Sequence, residues 1–255
     1  MSRLILGGLI LFGFLACLAG CSSPQPADIS DMEIIHVQCS ASLEWMGEAM
    51  NQCALSNGVQ LLVNHVTSGE MDLSEADILI GWGVPDEVGD FPVIIGEDEL
   101  IMVVHPDNPI NELTMAQVQD IFSGSARSWQ AIFDQCPECS QIDTSDYANL
   151  QVNIWIPPLF DETRLLWDKV VMHGTNYLAT AKLAADASQL QELIADDKSA
   201  IGFLPGHWSD RPVKTIRISD LESNLLQQPI LAISSVRLKD RAEHWLSCLQ
   251  NEIGK

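Results

Sequence analysis

"HPDNPINELTMAQVQDIFSG", residues 105–124, stands near the middle of the 255-residue chain and sets how the rest divides. The apolar run Leu100–Val104 stops at His105-Pro106. Pro106 and Pro109 bracket Asp107 and Asn108, joining fixed φ angles to side chains that form turns. Thr114 then offers an N-cap hydroxyl, Gln117 completes a capping box, and Leu113 can staple onto Val118. Val118, Ile121 and Phe122 make one apolar face, and Gly124 stops the helix. A new folding unit therefore begins at Leu113, behind a rigid polar turn.

Upstream of the turn, Glu33–Val37, Val59–Val63, Ala76–Ile80, Val93–Ile95 and Leu100–Val104 read as strands. Leu43–Asn57 reads as a helix, capped by Ser42 and stopped at Asn57-Gly58. Downstream come a strand at Leu150–Ile156, helices at Thr163–His173 and Ser188–Asp196, and a strand at Ala200–Leu204. Pro205-Gly206 breaks the chain again, before strands at Lys214–Ile218 and Ile230–Ser234 and a helix at Leu238–Ile253. The alternation predicts an α/β fold with a mainly parallel sheet. The C-terminal segment is too small to be a domain and is expected to return to the first unit. The expected architecture is thus two lobes, 33–104 plus 208–255 and 110–203, with chain crossings at 105–109 and 204–207. Two crossings make a hinge, and a hinge suits a ligand closed between lobes.

The N-terminal edge gives the compartment. Arg3 precedes an apolar and glycine stretch, Leu4–Leu18, shorter than the ~20 residues that span a bilayer. It ends in small residues, as a cleaved export signal does. Leu18-Ala19-Gly20-Cys21 resembles the lipobox of bacterial lipoproteins, which implies a signal peptide over 1–20 and lipidation of Cys21. An ordinary signal peptide that happens to end in cysteine is the alternative. Residues 21–32, with Pro24 and Pro26, then form a tether. The expected location is the cell membrane, by a lipid anchor, facing the periplasm or the cell exterior.

Thirty-five acidic against 13 basic residues give a formal charge of -22, which excludes nucleic acid as a partner. The same charge repels anionic membrane surfaces, so a lipid must hold the protein there. Outside the leader and Cys21 stand Cys39, Cys53, Cys136, Cys139 and Cys248, an odd set. Cys136-Pro-Glu-Cys139 suits a redox pair, half a zinc site or a loop disulfide. No second CxxC or paired HxxxH completes a zinc set, and the motif sits in a polar loop, so a Cys136–Cys139 bond is the favoured reading. Cys248, beside Trp245 and Leu249, is expected to be a buried thiol. No GxSxG nucleophile and no metal-pair histidine spacing occurs, so neither an enzyme nor a metal or cofactor site is expected.

"GEDELIMVVHPDNPINELTMAQVQDIFSGSARSW", residues 96–129, resembles the central segment of the phosphate-binding proteins of ABC transporters, in the type 2 periplasmic binding superfamily. "SEADILIG" (74–81) and "SAIGFLPG" (199–206) resemble two further blocks of that family. The resemblance implies a two-lobed α/β fold, a small polar solute in the cleft and an ABC permease as partner. It also implies ligand contacts from loops at helix starts. The first loop is Cys39-Ser40-Ala41-Ser42, which keeps two hydroxyls where the family has Gly-Ser-Thr-Ser. Ser42 also has the simpler task of capping its helix. Ser68, in Thr67-Ser68-Gly69, follows the second strand where the family again offers hydroxyls, though the segment is shorter here and reads more simply as a plain turn; Trp82 closes the third strand.

The last loop departs from the pattern. Where relatives carry a Gly-Ser-Gly-Thr-Arg-like turn, this chain has Phe160-Asp161-Glu162-Thr163-Arg164. Thr163 and Arg164 match. Phe160 and Glu162 remove the glycines that let a backbone approach an anion, and the two carboxylates repel one. Asp161 is either a plain N-cap or a ligand group in a cleft that takes a cationic or hydroxyl-bearing solute. The expected function is solute capture for an ABC permease, possible oxyanions such as phosphate included. The alternative is a sensor or surface interaction module that has lost transport.

Overall fold

In a computed structural model of the chain, the described residues are 32–254, apart from 85–90, 137–142, 148 and 210–211. The leader, the tether with Cys21, and Cys139 lie outside them. Residues Met32–Lys255 form one compact unit.

The first half begins with β1 (Glu33–Ser40), which runs three residues past the expected Val37. Its end stays in register because Gln38–Ser40 pair with Asn64–Val66 of β2 (Val59–Val66). The turn is thereby pushed on to Ser40, whose Oγ accepts the Ser42 N–H at 3.2 Å. Ser40, not Ser42, is the N-cap of the 3₁₀ turn Ala41–Met46 that leads into α1 (Gly47–Asn57). Then follow β3 (Ile78–Trp82) and β4 (Phe91–Val104).

β4 is one strand of 14 residues where the sequence suggests two. Glu97, Asp98 and Glu99 read as a polar break, yet they pair with Pro229, Gln228 and Gln227 of a later strand. Beyond them β4 changes neighbours, and Leu100–Val104 pair with residues 201–205 instead. Side chains alternate here between two apolar clusters: Leu100, Met102 and Val104 on one face, Ile101 and Val103 on the other. Burial on both faces explains why the segment is continuously apolar.

The turn at 105–109 follows at once. Asn108 is 1% exposed, accepts the Ile110 N–H at 3.1 Å and takes Lys214 Nζ on its carbonyl at 2.6 Å. After β5 (Glu112–Leu113), α2 (Met115–Ser123) starts on the expected capping box, with Thr114 and Gln117 exchanging bonds. Gly124 ends it at φ 81°; a Cβ there would stand 2.6 Å from Leu178. A short α3 (Trp129–Phe133), capped by Ser128, had no clear sequence signal. Next come β6 (Asn153–Ile156), α4 (Glu162–Trp167) running into a wide π turn at Asp168–Met172, and β7 (Lys182–Leu183). α5 (Ala187–Asp196), β8 (Ala200–Pro205), β9 (Lys214–Ile218), β10 (Gln227–Ser234) and α6 (Asp240–Ile253) complete the order.

The strands form one sheet in the order β2-β1-β3-β10-β4-β8-β6-β7, with β9 beside β4 and β5. It is mixed, not mainly parallel. β10 runs antiparallel to both β3 and β4, and β4 antiparallel to β8 and β9. The tail returns to the first half through β10 and α6, whereas β9 pairs with β4 and β5. Leu100–Val104 pair with β8, and Lys214–Ile218 with both β4 and β5. The expected hinge at 105–109 and 204–207 is not shown: Val104 is still paired with Ile201, and Leu204 with Ile101.

Cys248 is not a thiol. It is bonded to Cys53, 195 residues away, with Cα atoms 5.7 Å apart. The buried face of α1 (Met50, Cys53, Ala54) meets α6, and Trp245 Nε1 donates to the Met50 carbonyl at 3.2 Å. Packing, not sequence proximity, brings the two sulfurs together. Cys136 is also disulfide-bonded, and Cys39 is a free, buried thiol.

Candidate functional site

The loop after β1 and the start of α4 meet. Asp161 is the N-cap of α4: its Oδ1 accepts the Thr163 N–H at 2.9 Å and the Thr163 hydroxyl. The Ser42 hydroxyl bonds to the same carboxylate. Burial raises the Asp161 pKa above the usual carboxylate value, against the lowering effect of its Thr163, Arg164 and Ser42 hydrogen bonds. Glu162, the first residue of α4, is buried, and the Ser40 hydroxyl donates to its Oε1. Ser40 itself is 0% exposed. Trp208, just past β8, donates its indole N–H to the Ser42 carbonyl at 3.1 Å, and its neighbour His207 stacks on Trp45 at 3.8 Å.

Ser40, Ser42, Asp161 and Thr163 are thus brought together from segments 122 residues apart. Arg164 and Trp82 are not. Arg164 turns away: Nη1 donates to the Pro157 carbonyl at 3.1 Å, Nε stands 3.7 Å from Asp168, and the guanidinium lies over the Tyr177 ring. Trp82 is buried in the main apolar cluster, where its indole nitrogen meets no acceptor. The Ser68 side chain lies outside the described residues, and its neighbour Thr67 gives its hydroxyl to Glu70 at 3.0 Å.

Glu162 is the residue that sequence reasoning treated as a source of repulsion or as a solvated first-turn carboxylate. Its signal was present, since it stands where the family pattern has a small residue facing the cleft. Which donor it would meet could not be read along the chain. Its charge is felt beside it: burial first, then the Glu162 and Glu44 carboxylates, push the Cys39 thiol up to about 12. A thiol held protonated in this way is a poor nucleophile.

A second feature lies beside the β4–β8 junction. An open cavity of about 400 Å³ is lined by Glu97, Asp98, Glu99, Gly206, His207 and Gln227 among others. Asp98 Oδ1 accepts the Glu99 N–H at 2.8 Å and lies 3.2 Å from His207 Nδ1. No group of His, Cys, Asp and Glu suited to a metal ion occurs among the described residues, and none of their helices is long and apolar enough to cross a membrane.

No family model matches the chain, and no curated protein does. Solved structures do. One from Clostridium perfringens, described as a phosphate ABC transporter substrate-binding protein with bound phosphate, aligns at TM-score 0.65 and 17% identity, over 85% of this chain and 93% of that one. An ABC-type phosphate transport receptor from Vibrio cholerae aligns at TM-score 0.60 and 17% identity, with the same coverage. The CcmR regulatory domain of Synechocystis, solved with 2-PG, aligns at TM-score 0.60 and 11% identity, over 87% of this chain and 98% of that one. These neighbours are transport and regulatory proteins, not enzymes, and at such identities the likeness is one of fold. The chain therefore has an α/β fold of the type 2 periplasmic-binding-protein kind, which solute receptors and sensor domains share.

Proposed function

We propose that the protein is a sensor or interaction module on this fold, anchored outside the cytoplasmic membrane through a lipidated Cys21, that does not capture free phosphate. One observation carries the reading: the Glu162 carboxylate rests on the Ser40 hydroxyl. An incoming oxyanion would have to displace a covalently attached carboxylate and face Asp161 as well. Arg164, the one cation the family pattern supplies, is committed to Asp168 and Pro157. Calorimetry of the unmodified protein with phosphate and with sulfate near neutral pH should give no binding heat. Tight binding of either anion overturns the proposal.

A second reading keeps capture of a small polar solute for an ABC permease, with two lobes closing on it. The acidic cavity at Glu97, Asp98 and Glu99 favours it, since that lining suits a cationic or hydroxyl-bearing solute. Both readings require the anchor. Replacing Cys21 with alanine should release the protein from membranes or leave its leader uncleaved; an unchanged membrane fraction with normal processing contradicts the anchor.

A further inference from the structure

We infer that the cavity at the β4–β8 junction binds a small organic cation through a primary ammonium group, with Asp98 as its anchor. The inference rests on the acidic cavity of the second reading above and adds the chemical class of the occupant; it does not depend on a permease.

Topology places the cavity. β4 loses β10 as a neighbour at Glu99, gains β8 at Leu100 and gains β9 only at Met102. The cavity lies at this change of partners. Its lining comes from Gln227, the first residue of β10, from Thr215 of β9, and from Gly206 and His207 just past β8. Glu97, Asp98 and Glu99 complete it, with no lysine or arginine among the described lining residues.

An acidic run alone would be a solvated surface, but Asp98 is not solvated. Its side chain is 3% exposed. Oδ1 takes the Glu99 N–H at 2.8 Å and lies 3.2 Å from His207 Nδ1, while Oδ2 is buried and meets no hydrogen-bond partner. Leaving a buried acceptor unpaired is costly, so such an atom marks the place of a bound donor. Gly206 keeps the approach narrow: a Cβ there would stand 3.2 Å from Asp98 Oδ1 and 3.4 Å from the Glu99 carbonyl.

The chemistry of the lining selects the donor. No group of side chains suited to a metal ion occurs among the described residues. A quaternary nitrogen has no N–H to give and favours aromatic faces, whereas the one ring in the described lining, His207, is stacked on Trp45. A primary ammonium carries three N–H donors. The lining offers it Asp98 Oδ2, two further carboxylates and the hydroxyls of Ser209 and Thr215. About 400 Å³ is more than one ammonium fills, so the cation carries a short chain. A second ammonium on that chain would answer Glu97 or Glu99.

The probe is tetramethylenediamine, a four-carbon chain with a primary ammonium at each end, titrated calorimetrically into the full chain at fixed ionic strength. Its fully methylated bis-quaternary counterpart keeps the charge without N–H donors, and butanediol keeps the length without charge. The diamine should bind saturably and both controls should not. Asp98→Asn, equal in size and uncharged, should weaken diamine binding roughly 10–100-fold, and Glu97→Gln with Glu99→Gln should weaken it less. Comparable binding of either control overturns the inference, as does an undiminished affinity in Asp98→Asn. If Asp98→Asn does not fold, a rise in the Tm of the unmodified protein with the diamine and not with its bis-quaternary counterpart supports the inference, and no rise overturns it. Absence of diamine binding overturns the inference alone, since a hydroxyl-bearing solute would still satisfy the second reading. Diamine binding without compaction in small-angle scattering supports the inference while contradicting lobe closure.

Discussion

At the scale of single residues, Asp161 and Glu162 are neighbours with different tasks. Asp161 caps α4 and is bonded by Thr163 and Ser42, while Glu162 reaches across to Ser40. Burial raises the Asp161 pKa from its usual 3.8, so the folded chain holds that proton more firmly than the unfolded chain does. For an acid shifted upward, stability falls as pH rises from the unfolded value through the folded one. Its contribution is therefore most favourable below that window and weakest above it. Asp161→Asn keeps a capping side chain and removes the titration. Urea unfolding at a series of pH values from about 3.5 upward should show the unmodified protein losing stability relative to this variant as pH rises. A flat difference would mean that Asp161 is as well solvated folded as unfolded.

Among the elements, α1 and α6 illustrate how packing creates covalent chemistry. The apolar face of α6 (Ala242, Trp245, Leu246, Leu249) sets the helix on the first half of the sheet, against α1, and the Cys53–Cys248 bond crosses that contact. Closing a loop of 195 residues removes much of the unfolded chain's freedom. The chain-entropy model gives about 5 kcal/mol for such a loop, and removal of native bridges commonly costs about 2–5 kcal/mol. A Cys53→Ser, Cys248→Ser variant should unfold at correspondingly lower urea concentration with its circular dichroism unchanged. A midpoint equal to that of the oxidised protein would show that the α1–α6 contact alone supplies the stability.

For the whole molecule, β4 is the member that joins the halves. Its first part ladders with β10, its second with β8 and β9, and its residues 100–104 are buried. A strand shared in this way couples the halves, so amides of Ile101, Val103 and the paired β8 residues should exchange only through global unfolding. Hydrogen exchange would reveal independent lobes as two separate protection levels, one on each side of Leu100. Much of this was legible in the chain itself. The capping box at Thr114, the Gly124 stop, the α/β rhythm and the strand at Lys214–Ile218 depend on contacts within a few residues, which local sequence records. Gly202 was visible as a glycine in "SAIGFLPG", but its reason lies elsewhere: a Cβ there would stand 2.8 Å from the Trp155 carbonyl and 2.9 Å from Ile194. The continuity of β4 through Glu97–Glu99, the partner of Cys248 and the seat of Glu162 on Ser40 were not legible. Each depends on groups far apart in sequence, and their separation in space is fixed by packing, which a one-dimensional pattern does not encode. The sequence by itself determined the elements and the charges they carry. Only the tertiary structure decided which carboxylate meets which hydroxyl, because hydrogen bonds and burial act through distances of a few ångströms whatever the length of chain between them.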